Sequence, residues 1–96
     1  MSVQFVQMAG ITTTLIGELD NNATVLKRPR AVRLTPVPEM PGKVALDFIT
    51  LLDNPEALTL HTIAYSYRAS DVVVKKYMEE VTGLKLAGSG VIHATH

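Results

Sequence analysis

The amino-acid sequence predicts a mainly β domain: a small bent antiparallel sheet, or partly open five-stranded barrel, with one C-terminal helix. Three observations carry this. Short runs with strand-like alternation recur between Ile11 and Arg68. Clusters of Asp, Asn, Pro and Gly separate them. After Ser70 the apolar period changes from two to 3.6. Sequential short strands joined by turns pair as a meander, and one amphipathic helix suffices to cover one face.

Ile11 to Leu19 is the first expected strand. Ile11, Thr13, Leu15 and Leu19 share one parity, with Thr12, Thr14 and Glu18 on the other. Three successive threonines favour extended backbone, because β-branching restricts χ1. Gly17, inside this run, marks a bend or a close backbone approach. Asp20, Asn21 and Asn22 form a turn through their short polar side chains. The second strand runs from Ala23 to Leu34 and is interrupted at Pro29. Proline donates no ladder bond, so that position is an edge, a bulge or a bend.

Pro36, Pro38, Pro41 and Gly42 make residues 35–43 a loop. Lys43 to Leu52 is the next strand. Val44, Leu46, Phe48 and Leu52 lie on one face; Ala45, Ile49 and Leu51 lie with Asp47 on the other. With both faces largely apolar, the strand is expected to be buried on both sides, the second side by another subunit. Asp53 to Glu56 is a turn built on Pro55. Between Ala57 and Arg68, Leu58 and Leu60 hold one parity and Ile63, Tyr65 and Tyr67 the other, so the run breaks near His61. Ser70 is an N-cap and Asp71 sits at the positive end of the helix dipole. Val74, Tyr77, Met78 and Val81 recur at helical spacing, which predicts a helix over about 71–83 that stops at Gly83. Residues 1–86 are thus expected to form one domain and residues 87–96 a flexible tail.

The chain has 96 residues, the size of a single domain. It is 47% hydrophobic and 19% charged, which leaves apolar side chains for a second buried surface. There is no cysteine, so disulfide and thiolate-metal chemistry are excluded. The N-terminal residues lack the basic segment and long apolar core of a secretion signal, and no apolar run approaches the ~20 residues of a membrane span. A cytoplasmic protein with no membrane partner is expected.

Net charge is zero, from 9 Lys and Arg against 9 Asp and Glu. Yet Lys27, Arg28, Arg30 and Arg33 crowd one short stretch. A bulge at Pro29 would swap faces halfway and gather these charges at one rim. Guanidinium and ammonium groups suit phosphates, and copies around a ring would make a cationic belt. The competing reading is a solvated edge strand, or inter-subunit salt bridges to Glu18, Asp20 or Asp47. Tyr67 with Arg68 offers a stacking surface for bases; alternating tyrosines also serve as core or interface. Ile49, Leu51, Ile63 and Tyr65 are the candidate oligomer interface. His61 reads as a hydrogen-bonded interior or interface histidine. His93 and His96 stand three apart in a Gly-flanked tail, without further metal ligands nearby in sequence. No phosphate loop, dinucleotide fingerprint, zincin pair or cysteine set occurs, so neither enzymatic activity nor a cofactor is expected.

The stretch from Thr14 to Asp20, followed by the bent strand to Leu34, resembles the first half of an Sm/LSm-type fold, a bent five-stranded sheet that forms rings. Small Sm-like proteins of tailed-phage type, including cyanophage ones, share this layout. The resemblance spans roughly residues 11–68 and lays Gly17 on the family's strand glycine. The chain lacks the family's base-reading Asp-x-x-Met-Asn motif and its late Arg-Gly pair, and its helix is C-terminal where the family more often has it N-terminal. The resemblance implies RNA binding on a ring. Together these readings give a homo-oligomeric, non-enzymatic protein that binds RNA or single-stranded DNA through Lys27, Arg28, Arg30, Arg33, Tyr67 and Arg68. The alternative is a structural or interaction protein of phage origin whose oligomer binds other proteins.

Overall fold

The computed structural model describes residues 2–83. They form a mainly β fold: six strands in one antiparallel, open sheet, followed by one helix. The strands are β1 (Ser2–Met8), β2 (Thr14–Leu19), β3 (Val25–Pro36), β4 (Val44–Thr50), β5 (Ala57–Thr59) and β6 (Ile63–Arg68), and the helix is α1 (Asp71–Thr82). The sheet order is β4-β3-β2-β1-β6, with β5 paired to β3. The expected fold class is therefore met, with one strand more than the sequence suggested. The proposed tail, and residues 84–86 of the proposed domain, lie outside the described residues.

β1 is the added strand. It sits between β2 and β6, with Val6 opposite both Leu15 and Ser66. The strand expected from Ile11 begins only at Thr14, because the chain must first turn through Gly10, whose φ is +78°. The break expected near His61 is present, and separates β5 from β6; His61 itself is exposed, not interior. β3 is long enough to hold two partners on one side. Its first residues pair with β5 and its later ones with β4, while β2 runs along its other side.

The sheet has two apolar clusters, one on each face. Phe5, Ile16, Phe48, Ala69 and Tyr77 form the first, beneath α1. Val6, Leu15, Leu19, Leu26 and Leu60 form the second, with Leu51, Leu58 and Ile63 packed against them. The period-2 geometry of strands explains the division: Phe5 and Ile16 are opposite one another on one face, Val6 and Leu15 on the other. The second side of β4, expected to be covered by another subunit, is open in the single chain. β4 is an edge strand, and Val44, Ala45, Ile49 and Thr50 are exposed; only Phe48 is buried. Its second face has no cover within the described residues.

The turn at Asp20 works as the sequence suggests. Its carboxylate accepts hydrogen bonds from Thr24 N (2.7 Å), Val25 N (2.9 Å) and Thr24 Oγ1 (2.9 Å). The Val25 N–H leads in holding this carboxyl below its usual range, with Thr24 helping. The positive-φ residue of the turn is Ala23 and not an asparagine. At the helix start Ser70 has extended backbone but makes no side-chain cap bond. Gly83 closes the helix in the left-handed conformation, its N–H donating to Glu79 O.

Candidate nucleic-acid interface

The cationic stretch lies on the kink of β3. Ile16 pairs with Arg30 and Glu18 with Lys27, so the register slips opposite Gly17 and leaves Arg28 and Pro29 as a bulge. Arg28 has φ +48° and precedes proline. That conformation costs an L-residue about 1–2 kcal/mol, and a following proline adds its own preference for extended backbone. The surroundings must therefore hold it. Gly17 gives the necessary room: a Cβ there would lie 2.7 Å from Lys27 O and 2.7 Å from Leu26 Cγ. Arg28 N donates to Glu56 O at 2.6 Å. Tyr77 Oη reaches Arg28 O at 2.7 Å and Lys27 O at 3.2 Å.

The bulge has a direct effect on side-chain direction. Consecutive residues of a regular strand point to opposite faces. Here Lys27 and Arg28 both line one shallow groove of about 410 Å³, together with Glu18, Glu56 and Ala57. Arg28 donates to Glu18 Oε2 from Nε (2.7 Å) and from Nη2. The pair is partly exposed, so its main effect is to fix the guanidinium in place. Lys27 is exposed and forms no ion pair among the described residues.

The other two cations lie elsewhere. Arg30 is on the helix-covered face and only 8% exposed. Its Nη1 donates to Pro29 O at 3.0 Å, while Nε stands 3.8 Å from Glu80 Oε2 without a hydrogen bond. Arg33 is exposed on the opposite face, 3.4 Å from Asp47 Oδ2 on β4. The bulge thus brings two of the four cations together and separates the other two. Glu18 and Asp47, weighed from sequence as partners from another subunit, serve Arg28 and Arg33 within the same chain.

Tyr67 and Arg68 are exposed on β6, on opposite faces of that edge strand. Tyr67 packs on Phe5, with ring centroids 5.1 Å apart, and lies near parallel to Tyr65 at 6.2 Å. Tyr65 and Tyr67 remain about half exposed, at 53% and 52%. Of the candidate interface residues, Ile49 and Tyr65 are exposed on β4 and β6, whereas Leu51 and Ile63 are half-buried against the second apolar cluster.

Sequence reasoning placed Tyr77 in the helix core but did not assign it to the site. It is fully buried, with its ring edge-on to Phe48 at 6.1 Å. Burial pushes its hydroxyl pKa up to about 12, helped by the Glu18 charge and opposed by Arg28 and Arg30. The folded protein therefore holds this proton more tightly than the unfolded chain. The stability it contributes is complete below pH ~10, the unfolded value, and is lost as pH rises through about 12. Urea midpoints measured across that range should fall more steeply for the wild type than for Tyr77→Phe; parallel curves would remove this linkage.

No helix among the described residues is long and apolar enough to cross a membrane, and no group of three or more His, Cys, Asp or Glu is placed to hold a metal ion. No family model, curated protein or solved structure matches the chain.

Proposed function

We propose that this chain is a non-enzymatic protein whose copies join edge to edge, and whose assembly holds RNA or single-stranded DNA across repeated Lys27–Arg28 grooves. The observation that supports the binding role is the bulge that turns two consecutive cations into one groove, with Lys27 free of any ion pair among the described residues. One such groove, in which Glu18 and Glu56 offset the two cations, carries no net charge, and Lys27 is its cation without an ion pair among the described residues. A series of them along a strand would act together, as bridged phosphates release their counterions.

Edge chemistry favours a head-to-tail assembly. Among the described residues β4 and β6 end the main strand order, and the three-residue β5, paired only with β3, has one open side as well. On the helix-covered face, β4 and its neighbour β3 expose Val44 and Leu34, while β6 exposes Tyr65 and Tyr67. On the other face β4 carries Asp47 and β6 carries Arg68. Joining β4 of one copy to β6 of the next pairs apolar with aromatic residues, and brings Arg68 towards Asp47, which Arg33 of its own chain already engages. Joining β4 to β4 would forgo the aromatic partners. A heterologous contact of this kind closes into a ring when its rotation allows.

Light scattering coupled to size-exclusion chromatography should give a multiple of the chain mass. Tyr65→Lys with Tyr67→Lys should give a folded monomer, because charge on an open edge opposes strand addition. A wild type that stays monomeric at high concentration would end the assembly reading. Fluorescence anisotropy with labelled oligouridine and oligothymidine should show affinity that falls steeply with salt. Lys27→Ala should weaken all sequences alike and reduce the salt slope by about 1. Unchanged binding in that variant would remove the groove from the mechanism.

A second reading has its own support. Arg30 is buried and Arg33 is ion-paired on another face, so half of the basic stretch serves the fold. The assembly itself would then be the functional product, as a scaffold for other proteins. Purified protein whose ratio of absorbance at 260 and 280 nm does not change on a high-salt wash, and which retains no oligonucleotide, would favour this reading.

A further inference from the structure

We infer that Tyr77 is a positioning residue for the Lys27–Arg28 groove, acting from α1 through the backbone of the β3 bulge. The inference rests on the reading of that groove as a phosphate site, and adds to it a requirement that the helix be docked.

Four contacts hold the bulge. Gly17 supplies space, the Glu18 carboxylate holds the Arg28 side chain, Glu56 O accepts the Arg28 N–H, and Tyr77 Oη engages the carbonyls of Lys27 and Arg28. The first three come from strands and turns close to the groove. Tyr77 is the exception. It lies fifty residues from Lys27 in sequence and is the one fully buried residue of α1. Both carbonyls it reaches belong to the groove's two cations. Without the hydroxyl they would lack this partner, and Arg28, disfavoured at φ +48° before proline, would have one restraint fewer against returning to extended backbone. In extended backbone residues 27 and 28 point to opposite faces, and the shared groove is lost. The neighbouring Arg30–Glu80 contact also ties β3 to α1, but at 3.8 Å and without a hydrogen bond from Arg30 Nε it does not define the bulge.

The test compares Tyr77→Phe with Phe48→Leu in the full chain. Tyr77→Phe keeps the ring and removes only the hydroxyl. Phe48→Leu disturbs the same core, where its ring meets that of Tyr77 edge-on, but leaves the hydroxyl in place. Two readouts are taken under conditions where all three proteins are folded: amide hydrogen exchange at Arg28, with Val25 and Leu60 as reference amides outside the bulge, and anisotropy with labelled oligouridine at low salt.

For Tyr77→Phe we expect faster exchange at Arg28 relative to the references and about tenfold weaker binding, the size of one lost buried hydrogen bond. Phe48→Leu should lower overall stability while leaving the Arg28 ratio and the affinity near wild type. Tyr77→Phe with wild-type exchange at Arg28 would overturn the positioning role, even if the wild type binds. So would equal loss of affinity in Phe48→Leu, which would reduce Tyr77 to general core packing. A wild type that binds no oligonucleotide would instead overturn the phosphate reading beneath the inference, while the exchange ratio would still decide whether Tyr77 holds the bulge.

Discussion

Gly17→Ala is expected to lower stability by about 3 kcal/mol, at the upper end of ordinary overpacking. The added methyl would lie 2.7 Å from Lys27 O and 2.7 Å from Leu26 Cγ. The oxygen is backbone in a strand held by β2, β5 and Tyr77, so it cannot swing aside as a flexible side chain would. Leu26 is fully buried in the second apolar cluster and is equally confined. Either β2 and β3 separate, or the bulge at Arg28 opens. For a domain of this size, with a total stability of about 10 kcal/mol, that is a large fraction. Gly10→Ala is the control. Gly10 has φ +78° but open space around its Cβ position, so only the backbone term of about 1–2 kcal/mol applies. Urea denaturation of both variants separates steric contact from backbone conformation. Equal midpoints for the two would show that β2 and β3 can move apart at little cost.

Phe48→Ala should cost about 3–5 kcal/mol. Phe48 is the single buried residue of β4, opposite Val32 on β3 and edge-on to Tyr77. β4 is an edge strand held by its ladder to β3, and Phe48 with Leu46 supplies its packing under the helix. Truncation leaves a void between β4 and α1, and both elements lose their shared contact. Ile49→Ala, one residue along, removes a side chain that is partly exposed and should change stability by less than about 1 kcal/mol. The comparison is made in the Tyr65→Lys, Tyr67→Lys background, in which the proposed edge contact is opposed and Ile49 is expected to stay uncovered. If Ile49→Ala proved as costly as Phe48→Ala there, the assigned faces of β4 would be reversed.

These two positions show what residue patterns convey. The alternation of Val44, Leu46 and Phe48 located β4, and the parity change between Leu60 and Ile63 located the break before β6. Ser70, Asp71 and Gly83 bracketed the helix to within a residue. β1 is harder to recognise, because Phe5 and Val6 are buried on opposite faces and an interior strand shows no clean alternation. Its residues Val3, Phe5 and Val6 do favour extended backbone. The apolar composition of β4 led to an expectation of burial on both faces, the second by another subunit; that β4 is an edge of the chain's own sheet is not legible from composition. The cations were visible as a charge cluster. Their directions were not, since the bulge depends on the gap at Gly17 and on a hydroxyl from α1, both supplied by other parts of the chain.

The place of β1 between β2 and β6 bears on how the molecule is made. β1 can find β2 as soon as the next few residues emerge from the ribosome, since a short connection joins them. Its other neighbour, β6, is synthesised only after β2, β3, β4 and β5. Until then one side of β1 has unpaired amides and carbonyls, and Phe5 lacks both Tyr67 and the helix above it. Until β6 and α1 have been made, the nascent sheet keeps one unpaired side and an uncovered apolar face.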